Sequence, residues 1–567
     1  MCGFLGRILR DPGAVRKPIT AADSLLKRRG PDMTGLWTSP DRRIEIVFYR
    51  LSIVDHSERA SQPICREDLG LVVAMNGEVY NYEEIRGRLW DQRFTSGSDA
   101  EVLLVFFRKR GLEGLQEVRG SFAACIVDEW NSRLYLIQDP VGKRPLAVYP
   151  GSTEVIFGSS TIPLAVTASS QPKFDDQAIN DFWKQGYINP TRTIFDGIQN
   201  ILPGEVWEFD FSGNLLQRIK QRPPTRLVSV RTFEEAVEVS RTLIRQATER
   251  RLSNNPRPIC LLSGGIDSTI VAKSLSEIGS GECITVAGSR LWVPDYSYAK
   301  YACKRLRLPL IPIKVRLASL AEEVAWALDL QDEPFAPISF FPLALMMREV
   351  KKHSKVVLTG DGGDEVFLGY GRAEQWVDRS VSAASEAAEP LVGPLVPQWM
   401  SRWGRQWIGV SLLGHMFRKL DRASAEQGVE ARCPLLDWDL IAAARTFPPE
   451  LLLRNGKTKA ILKAILSDFG PQFTDRKKVG FTFRIRWLWL RSLYSGLREL
   501  IEPEAIDCFA HLLPRELRYP ARRWSTVHIF RNFDTVWRLL VWSQFLRRLR
   551  EASRKASQAE SLGIVHK

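Results

Sequence analysis

One stretch constrains the fold of this chain more than any other: residues 261–269, with the sequence Leu-Leu-Ser-Gly-Gly-Ile-Asp-Ser-Thr. It overlaps the end of a short apolar run, Pro258 to Leu262, and opens a segment that should be helical. Two glycines let the backbone approach a ligand closely, and the N–H groups at the start of a helix favour an anion. The stretch therefore predicts a strand, a ligand-binding turn and a helix in direct succession.

Strand and helix alternate through the rest of this half of the chain. Apolar runs of the buried-strand type recur at Cys283 to Ala287, Leu310 to Val315 and Lys355 to Leu358, with helical segments between them. An amphipathic helix is expected at Thr232 to Leu252. This order predicts a doubly wound parallel sheet with helices on both faces and a helical C-terminal part.

The first half of the chain has a different pattern. Short, nearly alternating apolar runs are separated by turn residues, which predicts antiparallel sheet. The clearest predicted elements are strands at Ile44 to Leu51, Leu69 to Met75, Ser121 to Asp128, Arg133 to Gln138 and Val155 to Gly158, and a helix at Ala100 to Arg110. A chain of 567 residues is too long for one hydrophobic core. We therefore expect one domain over 1–210, a linker over 211–231, a second domain over 232–547 and a polar, frayed tail over 548–567.

Composition excludes several classes of protein. The 79 Lys and Arg against 65 Asp and Glu give a charge of +14, but the excess is scattered, and we expect no nucleic-acid partner. Only residues 547–550, Arg-Arg-Leu-Arg, form a basic cluster that could mark a surface contact. Eight cysteines without a CxxC pair indicate reduced thiols and a cytoplasmic protein rather than a disulfide or zinc framework. No apolar run is long enough for a membrane span, and the Trp-rich residues 487–490 are expected to form helix core.

Several residues in and near the Ser-Gly-Gly loop are candidates for binding phosphate groups. The carboxylate of Asp267 would repel a phosphate unless a cation such as Mg²⁺ bridged the two. The loop is not a Walker A motif, since the Gly-Lys-Ser/Thr ending is missing. It resembles the pyrophosphate loop of the ATP pyrophosphatases, which split ATP into AMP and pyrophosphate. The candidate ATP-binding residues are Leu262, Ser263, Gly264, Gly265, Asp267, Ser268, Thr359 and Gly360.

A second acidic loop, residues 358–367, follows another predicted strand and contains Asp361, Asp364 and Glu365 among glycines. In an open parallel sheet, ligands bind at the C-terminal ends of the strands, so both loops should face one crevice. Any one of these carboxylates could belong to a solvated turn, and the first loop alone could be a capped strand-to-helix turn. Three carboxylates beside a phosphate loop favour a metal site.

Cys2 is a candidate nucleophile if Met1 is removed. The small side chain of Cys2 permits that removal. The free α-amine could then act as base to its own thiol, because its reference pKa of ~8 lies close to that of the thiol. No histidine partner would be needed. A cysteine at position two is also often incidental, so this signal is weak on its own.

Further motifs in the first half strengthen it, and together they resemble the class II glutamine amidotransferases. The motifs are Cys2-Gly3-Phe4, Arg29-Gly30-Pro31-Asp32, Arg50-Leu51-Ser52-Ile53, Asn76-Gly77-Glu78-Val79-Tyr80-Asn81, Ser98-Asp99-Ala100-Glu101 and Gly142-Lys143-Arg144-Pro145-Leu146. The resemblance implies an αββα sandwich of the N-terminal nucleophile type.

The same resemblance implies a role for each matched residue. Cys2 would attack the glutamine amide, and Asn76 with the Gly77 N–H would hold the oxyanion, as fixed donors do in acyl transfer. Arg50 would bind the α-carboxylate and Asp99 the ammonium group of glutamine, with Glu78 helping at that end. Arg50 could instead be an edge-strand charge, and Ser98 or Asp99 a helix cap.

Both halves together resemble the asparagine synthetase family. Further matches are Asp332-Glu333-Pro334, Asp421-Arg422, Glu430-Ala431-Arg432-Cys433-Pro434-Leu435-Leu436-Asp437 and Arg476-Lys477-Lys478-Val479-Gly480-Phe481. The resemblance implies that ATP adenylates a carboxylate, with Mg²⁺ held by Asp267 and Asp364, and that ammonia crosses from the glutamine site to displace AMP. Lys478 would stabilise charge at the α-phosphate, and Asp361 would orient the acceptor or take a proton from ammonia. Members of the family are often dimers, so a homodimer is possible.

Departures from the family pattern bear on the acceptor. The region between Gly371 and Leu420 is short, Ala423-Ser424-Ala425-Glu426 replaces Met-Ser-Met-Ala, Pro337 stands where Asp is common, Leu368 replaces a Gly, and Gln138 replaces an Arg. Aspartate is the leading acceptor, and a sugar carboxylate or an antibiotic precursor is the alternative. An intramolecular cyclase of the β-lactam synthetase or lasso-peptide type is disfavoured because Cys2 and the glutamine-binding residues are retained.

Overall fold

The computed structural model describes residues 1–11, 13, 18–19, 23–221, 228–252, 258–279, 281–287, 295–315, 319–371, 375, 400–454, 456–476 and 496–561. Within these ranges the first half contains two antiparallel sheets, and the second half contains one parallel sheet with helices. Both predicted sheet types are confirmed.

The two antiparallel sheets have six strands each and share one apolar core. The first sheet has the spatial order Gln199–Asn200, Ala147–Pro150, Glu154–Gly158, Gly3–Leu9, Ile44–Arg50 and Met33–Thr38. The second has the order Leu215–Lys220, Glu205–Asp210, Arg133–Gln138, Gly120–Asp128, Leu71–Val79 and Ile64–Arg66. Phe48 of the first sheet and Val72 of the second are both fully buried in that core, as alternating side chains on facing sheets require.

Helices cover the outer faces of this sandwich, which confirms the αββα arrangement. Asp99–Gly114 packs on the second sheet, and Thr161–Ala168 packs on the first. The other α-helices described in this half are Asp23–Leu26, Tyr82–Arg88 and Asp176–Gln185. The strand Leu215–Lys220 occupies the start of the expected linker, so the sandwich continues beyond residue 210.

The parallel sheet has five strands in the order Leu310–Lys314, Glu282–Ala287, Ile259–Leu261, Val356–Leu358 and Glu430–Arg432. The first four confirm the predicted strands, whereas the fifth is a three-residue strand that sequence patterns did not predict. The strand order reverses at Ile259–Leu261, which is the place where open sheets of this kind form a ligand crevice. Both candidate phosphate loops follow the two strands that meet there.

Helices surround this sheet and form the C-terminal part. Those next to the sheet are Phe233–Arg250, Ile266–Ile278, Tyr296–Leu306, Leu320–Leu328, Phe340–Val350, Gly363–Val366, Arg402–Val410, a π-helix at Ser411–Phe417, Arg418–Ala425, Trp438–Ala444, Pro449–Leu452, Ala460–Ile465 and Pro471–Thr474. Those nearer the C-terminus are Gly496–Glu499, Pro503–Phe509, Thr526–Arg531 and Phe533–Ser561. No helix among the described residues is long and apolar enough to cross a membrane.

Phe533–Ser561, called the C-terminal helix below, corrects the expected polar tail. It continues through most of that segment, and Ala552 and Ala556 are buried on one of its faces. The basic cluster is not a free surface patch either, because Arg548 is buried in an ion pair with Glu426. The predicted Trp-rich helix core at 487–490 lies outside the described residues.

Candidate functional site

Cys2 lies at the start of strand Gly3–Leu9 and is buried between the two sheets. Its Sγ accepts a hydrogen bond from the Leu51 N–H at 3.4 Å. Burial raises the pKa of the thiol above its usual value, and the neighbouring chain amine partly opposes that shift. Burial also lowers the pKa of the Met1 amine to about 5. This is the amine of the unprocessed chain; the amine that would act as base belongs to Cys2 and forms only when Met1 is removed.

Asn76 and Gly77 lie on strand Leu71–Val79, which contacts the strand of Cys2 across the sandwich. Asn76 is fully buried, and neither atom of its side-chain amide has a protein hydrogen-bond partner within the described part of the chain. Buried polar atoms are rarely left without a partner, so this amide fits a ligand. Gly77 has φ +125°, and a Cβ there would lie 2.1 Å from the Ser121 carbonyl oxygen, so the close backbone approach requires glycine.

Arg50 and Asp99 lie close enough to influence each other electrostatically, and both are buried. Arg50 donates to the Ser57 carbonyl at 3.0 Å and to the Asp55 carbonyl, and burial lowers its pKa. Asp99 accepts from the Val79 N–H at 2.9 Å, and burial raises the pKa of its carboxyl to about 6. A cation and a carboxylate held in this way suit the two charged groups of an amino acid.

Ser98 and Asp99 were both possible helix caps, and Arg50 could have been an edge-strand charge. Ser98 caps the helix, because its Oγ accepts from the Ala100 N–H at 3.2 Å. Asp99 is the first helical residue, and its carboxylate is bonded to the neighbouring strand instead. Arg50 ends an interior strand of its sheet, between Gly3–Leu9 and Met33–Thr38, so it is not an edge-strand charge.

Glu78 faces the second half of the chain rather than Asp99. Its buried carboxylate pairs with Arg432, whose Nε also donates to Glu430 at 3.0 Å. Arg144 of the first half lies 3.5 Å from the same Glu430 carboxylate. The expected role of Glu78 in holding glutamine stays a prediction, and the structure gives it an ion pair between the two halves.

The strand Glu430–Arg432 connects the two candidate sites. At one end, Arg432 pairs with Glu78, directly after Asn76 and Gly77. Along the strand, the Arg432 carbonyl accepts from the Thr359 N–H at 2.9 Å. The next residue, Cys433, places its Sγ 3.2 Å from the Thr359 hydroxyl. The segment 430–433 therefore contacts both Glu78, on the strand that carries Asn76, and Thr359 of the second phosphate loop.

The two phosphate loops line one cleft of about 540 Å³, as their positions in the sequence predicted. They touch, because a Cβ on Gly360 would lie 2.4 Å from the Ser268 backbone nitrogen. Within the first loop, the Ser263 N–H donates to the Ser268 hydroxyl at 3.2 Å. Gly264 has φ +77°, a turn that favours glycine. Leu262 is buried in the sheet and lies behind the cleft wall.

Two carboxylates in the cleft share one ammonium group. Lys459 Nζ lies 2.7 and 2.5 Å from the two oxygens of Asp267 and 2.6 Å from Asp364 Oδ1. Burial alone would lower the pKa of Lys459, but the two carboxylates raise it well above its usual range. Sequence patterns did not identify this lysine, and the available signal was only a basic pair, Lys457 and Lys459, before an apolar helix.

Asp267 and Asp364 fit a Mg²⁺ site of the kind that a nucleotide completes. No cluster of three or more potential metal ligands occurs among the residues that the structure describes. Mg²⁺ commonly takes one or two carboxylates from the protein and its other ligands from phosphates and water. A pair of carboxylates at the mouth of two phosphate loops matches that donor set.

The remaining predicted residues are only partly placed. Thr359 and Asp361 line the cleft. Lys478 lies outside the described residues, but Arg476, two residues before it, donates to Asp295 and to the Gly264 carbonyl, each at 2.7 Å. The Arg476 contacts attach the segment that leads to Lys478 to the first phosphate loop.

The lining of the cleft also includes Leu343, Met346, Tyr370, His415 and Lys419. His415 and Met416 belong to the π-helix Ser411–Phe417, a distortion that often occurs at functional sites. Leu368, which stands in place of a glycine of the family pattern, has φ +53° in the left-handed region. This region of backbone conformation favours glycine and is uncommon for a leucine.

Comparison with known proteins assigns both halves. A model of a glutamine amidotransferase domain matches residues 1–219, and a model of asparagine synthase matches 240–407 and 397–533. Asparagine synthetase [glutamine-hydrolyzing] 1 of Bacillus subtilis is 25% identical, over 90% of this chain and 91% of its own length. Asparagine synthetase B [glutamine-hydrolyzing] of Escherichia coli is 26% identical, over 89% and 86%. Amidase chry2 of Gibberella zeae is 27% identical, over 81% and 84%.

Proposed function

Because the chain belongs to the asparagine synthase family, we propose that it transfers the amide nitrogen of glutamine to a carboxylate that ATP activates, with aspartate as acceptor. The observation that carries this proposal is the joining of two differently equipped sites by one segment. One site has a buried thiol and a buried amide that has no hydrogen-bond partner among the described residues of the protein. The other has two phosphate loops and two carboxylates in one cleft. The enzyme is a glutamine-hydrolysing ligase in this proposal.

The first site performs acyl transfer on glutamine. Once Met1 is removed, the amine of Cys2 takes the thiol proton, and the thiolate attacks the amide carbon. Asn76 Nδ2 and the Gly77 N–H donate to the oxyanion of the tetrahedral intermediate. Arg50 binds the α-carboxylate and Asp99 the ammonium group. Ammonia leaves, and water then releases glutamate from Cys2.

The second site binds ATP and activates the acceptor carboxylate. Backbone N–H groups and hydroxyls at Ser263, Gly264, Gly265 and Ser268 contact the phosphates, as helix starts do. Asp267 and Asp364 would hold Mg²⁺, which when bound neutralises charge on the triphosphate. The acceptor carboxylate attacks the α-phosphorus, pyrophosphate leaves, and an acyl-adenylate results. Ammonia then displaces AMP from the acyl carbon and forms the amide.

Asp361 and Lys478 assist these two steps. Asp361 lines the cleft and would orient the acceptor or take the proton that the attacking ammonia loses. Lys478 would stabilise the additional charge on the α-phosphate during adenylation. The expectations of a cytoplasmic enzyme, of small-molecule substrates alone and of a homodimer stay predictions.

We propose that ammonia crosses at the junction of the two halves. A small cavity of about 70 Å³ lies at the junction of the halves and is lined by Lys143 and Arg144 from the first half and by Asp332 and Arg422 from the second. Lys143 Nζ donates to the Ala431 carbonyl at 2.5 Å, within the connecting strand. We place the ammonia passage beside this strand.

A second candidate keeps the chemistry and changes the acceptor. The cleft lining includes the apolar side chains Leu343 and Met346, and Pro337, which precedes both in sequence, stands where Asp is common in the family. An apolar wall favours a larger carboxylate than aspartate.

The test supplies the purified protein with ATP, Mg²⁺ and glutamine, with and without aspartate, and follows asparagine, glutamate, AMP and pyrophosphate by mass spectrometry. Asparagine that depends on aspartate, with an equal amount of AMP, supports the first candidate. Glutamate without asparagine supports the glutaminase and directs the search to other carboxylates. Neither glutamate nor AMP under any condition would refute the proposal.

A further inference from the structure

The segment 329–339 joins helices Leu320–Leu328 and Phe340–Val350 and leads directly into one wall of the ATP cleft. Ser339, Leu343 and Met346, which follow it, line that wall. The segment has no regular secondary structure over most of its length, so its backbone groups need partners from elsewhere in the protein. Where this segment lies determines where the wall lies.

The first half of the chain holds the segment from one side. The Ser160 hydroxyl donates to the Asp332 carboxylate at 2.9 Å, and the Ile194 N–H donates to Glu333 at 2.7 Å. The Ala336 N–H donates to the Gly186 carbonyl at 2.7 Å. The amidotransferase half therefore fixes the middle of the segment.

The C-terminal helix contacts the segment from the other side, at residues 329 and 336. The indole N–H of Trp537 donates to the Ala336 carbonyl at 2.6 Å, and Arg548 donates to the Asp329 carbonyl at 2.6 Å. Trp537 and Arg548 are eleven residues apart, about three helical turns, and thus lie on one face of the helix. Both side chains are almost completely buried.

The C-terminal helix is itself anchored on the first half of the chain. Trp542 packs against Phe182 at a ring distance of 5.7 Å and against Phe174 at 5.5 Å. Arg538 donates to the Trp183 carbonyl at 2.6 Å. The C-terminal helix therefore contacts both the first half of the chain and the segment that leads into the cleft wall.

We infer that Trp537 and Arg548 are positioning residues: they fix the backbone of 329–336 and thereby set the cleft wall that faces the acceptor. The inference rests on the proposed function only in naming the acceptor as the molecule that meets this wall. The placement of the wall itself follows from the contacts of the helix.

A matched pair of variants tests this inference. Trp537→Phe removes the indole N–H and keeps an aromatic ring in the same place. Trp524→Phe is the control, because Trp524 is equally buried and its N–H donates to the Tyr519 carbonyl at 2.8 Å, within the C-terminal part. Both variants lose one indole-to-carbonyl bond, but only one of these bonds reaches the segment.

The first readout is hydrogen–deuterium exchange followed by mass spectrometry on the full chain. In Trp537→Phe we expect the amides of 329–346 to exchange about tenfold faster than in the unmodified protein, because the Ala336 carbonyl has lost its buried donor. In Trp524→Phe the same peptides should be unchanged. Equal exchange in 329–346 for both variants, or faster exchange throughout Trp537→Phe, would overturn the inference.

The second readout is kinetic and uses aspartate as the probe. Trp537→Phe should raise the KM for aspartate about tenfold, while kcat and KM for glutamine hydrolysis stay unchanged. A parallel fall in both activities would show a merely structural role and would overturn the inference. If the unmodified protein makes no asparagine, the aspartate form of the proposed function fails, and hydrogen exchange still decides the placement of the wall.

Discussion

The ammonium group of Lys459 offsets the repulsion between the carboxylates of Asp267 and Asp364 in the ATP cleft. We therefore expect Lys459→Met to make the stability of the protein depend on Mg²⁺. In the unmodified protein its ammonium lies within 2.7 Å of both Asp267 and Asp364. Methionine has a similar length and no charge. The variant therefore leaves two carboxylates in a partly buried cleft without their shared cation.

The size of the effect follows from the burial of the three side chains. They are 7%, 20% and 14% exposed for Lys459, Asp267 and Asp364, so water screens the ion pairs only weakly. Removing one partner of a buried pair costs about 3–5 kcal/mol. For a domain of about 300 residues, this lowers the melting temperature by about 5–8 °C. Mg²⁺ at a hundred times its Kd should restore about 2.7 kcal/mol, which is more than half of the loss.

The assay is thermal unfolding followed by circular dichroism, in EDTA and over a Mg²⁺ titration without nucleotide. Lys463→Met is the control. Lys463 lines the same cleft, but within the described part of the chain it forms no ion pair with Asp267 or Asp364. We expect a low melting temperature in EDTA and a large Mg²⁺ response for Lys459→Met alone. If Lys459→Met melts like the unmodified protein in EDTA, or if all three proteins respond equally to Mg²⁺, the carboxylates are not a latent metal site.

Five further outcomes follow from the two sites. Cys2→Ala should abolish glutamine-dependent product and leave synthesis from free ammonium; loss of both activities in a product assay would contradict separate sites. Asp267→Asn should stop pyrophosphate release with either nitrogen source, and normal release would exclude Asp267 as a needed metal ligand. Burial raises the pKa of Asp99 to about 6, so the KM for glutamine should fall as pH rises through about 6, and Asp99→Asn should lose this dependence. Because a raised acid pKa stabilises the fold only below that pKa, Asp99→Asn should also melt higher than the unmodified protein at neutral pH. Arg432→Met removes the ion pair with Glu78 between the two halves, so we expect glutamate release to exceed amide formation; an equal ratio of the two products would show that this ion pair does not couple the sites.

The sequence predicted elements where the chain repeats one local pattern. Arg133–Gln138 was predicted at its observed bounds, and the first four strands of the parallel sheet within one or two residues. Apolar runs and turn residues report local conformation, and burial on both faces of a parallel strand makes the run continuous. The phosphate loops were found for the same reason, since glycines and carboxylates adjacent in sequence are adjacent in space.

Features that depend on distant residues could not be predicted in this way. Lys459 and Asp267 are 192 positions apart, and no local pattern connects them. The strand Glu430–Arg432 has three residues, two of them charged, so it lacks the apolar run that marks a buried strand. The C-terminal helix was missed beyond residue 547 because its buried face there consists of small alanines among charged residues.

The charges that hid the strand Glu430–Arg432 from pattern analysis also explain why it can connect two sites. An apolar strand at this position would bury the halves against each other but would remove the ion pairs that Glu78 and Arg144 form at the junction. Arg432 and Glu430 supply those partners, and the pKa of the Glu430 carboxyl falls to about 2 because Arg432 and Arg144 outweigh its burial. Buried ion pairs add little net stability against apolar packing, but their geometry is specific. The strand thus fixes the register between the glutamine site and the ATP cleft, which is what a passage for ammonia between them requires.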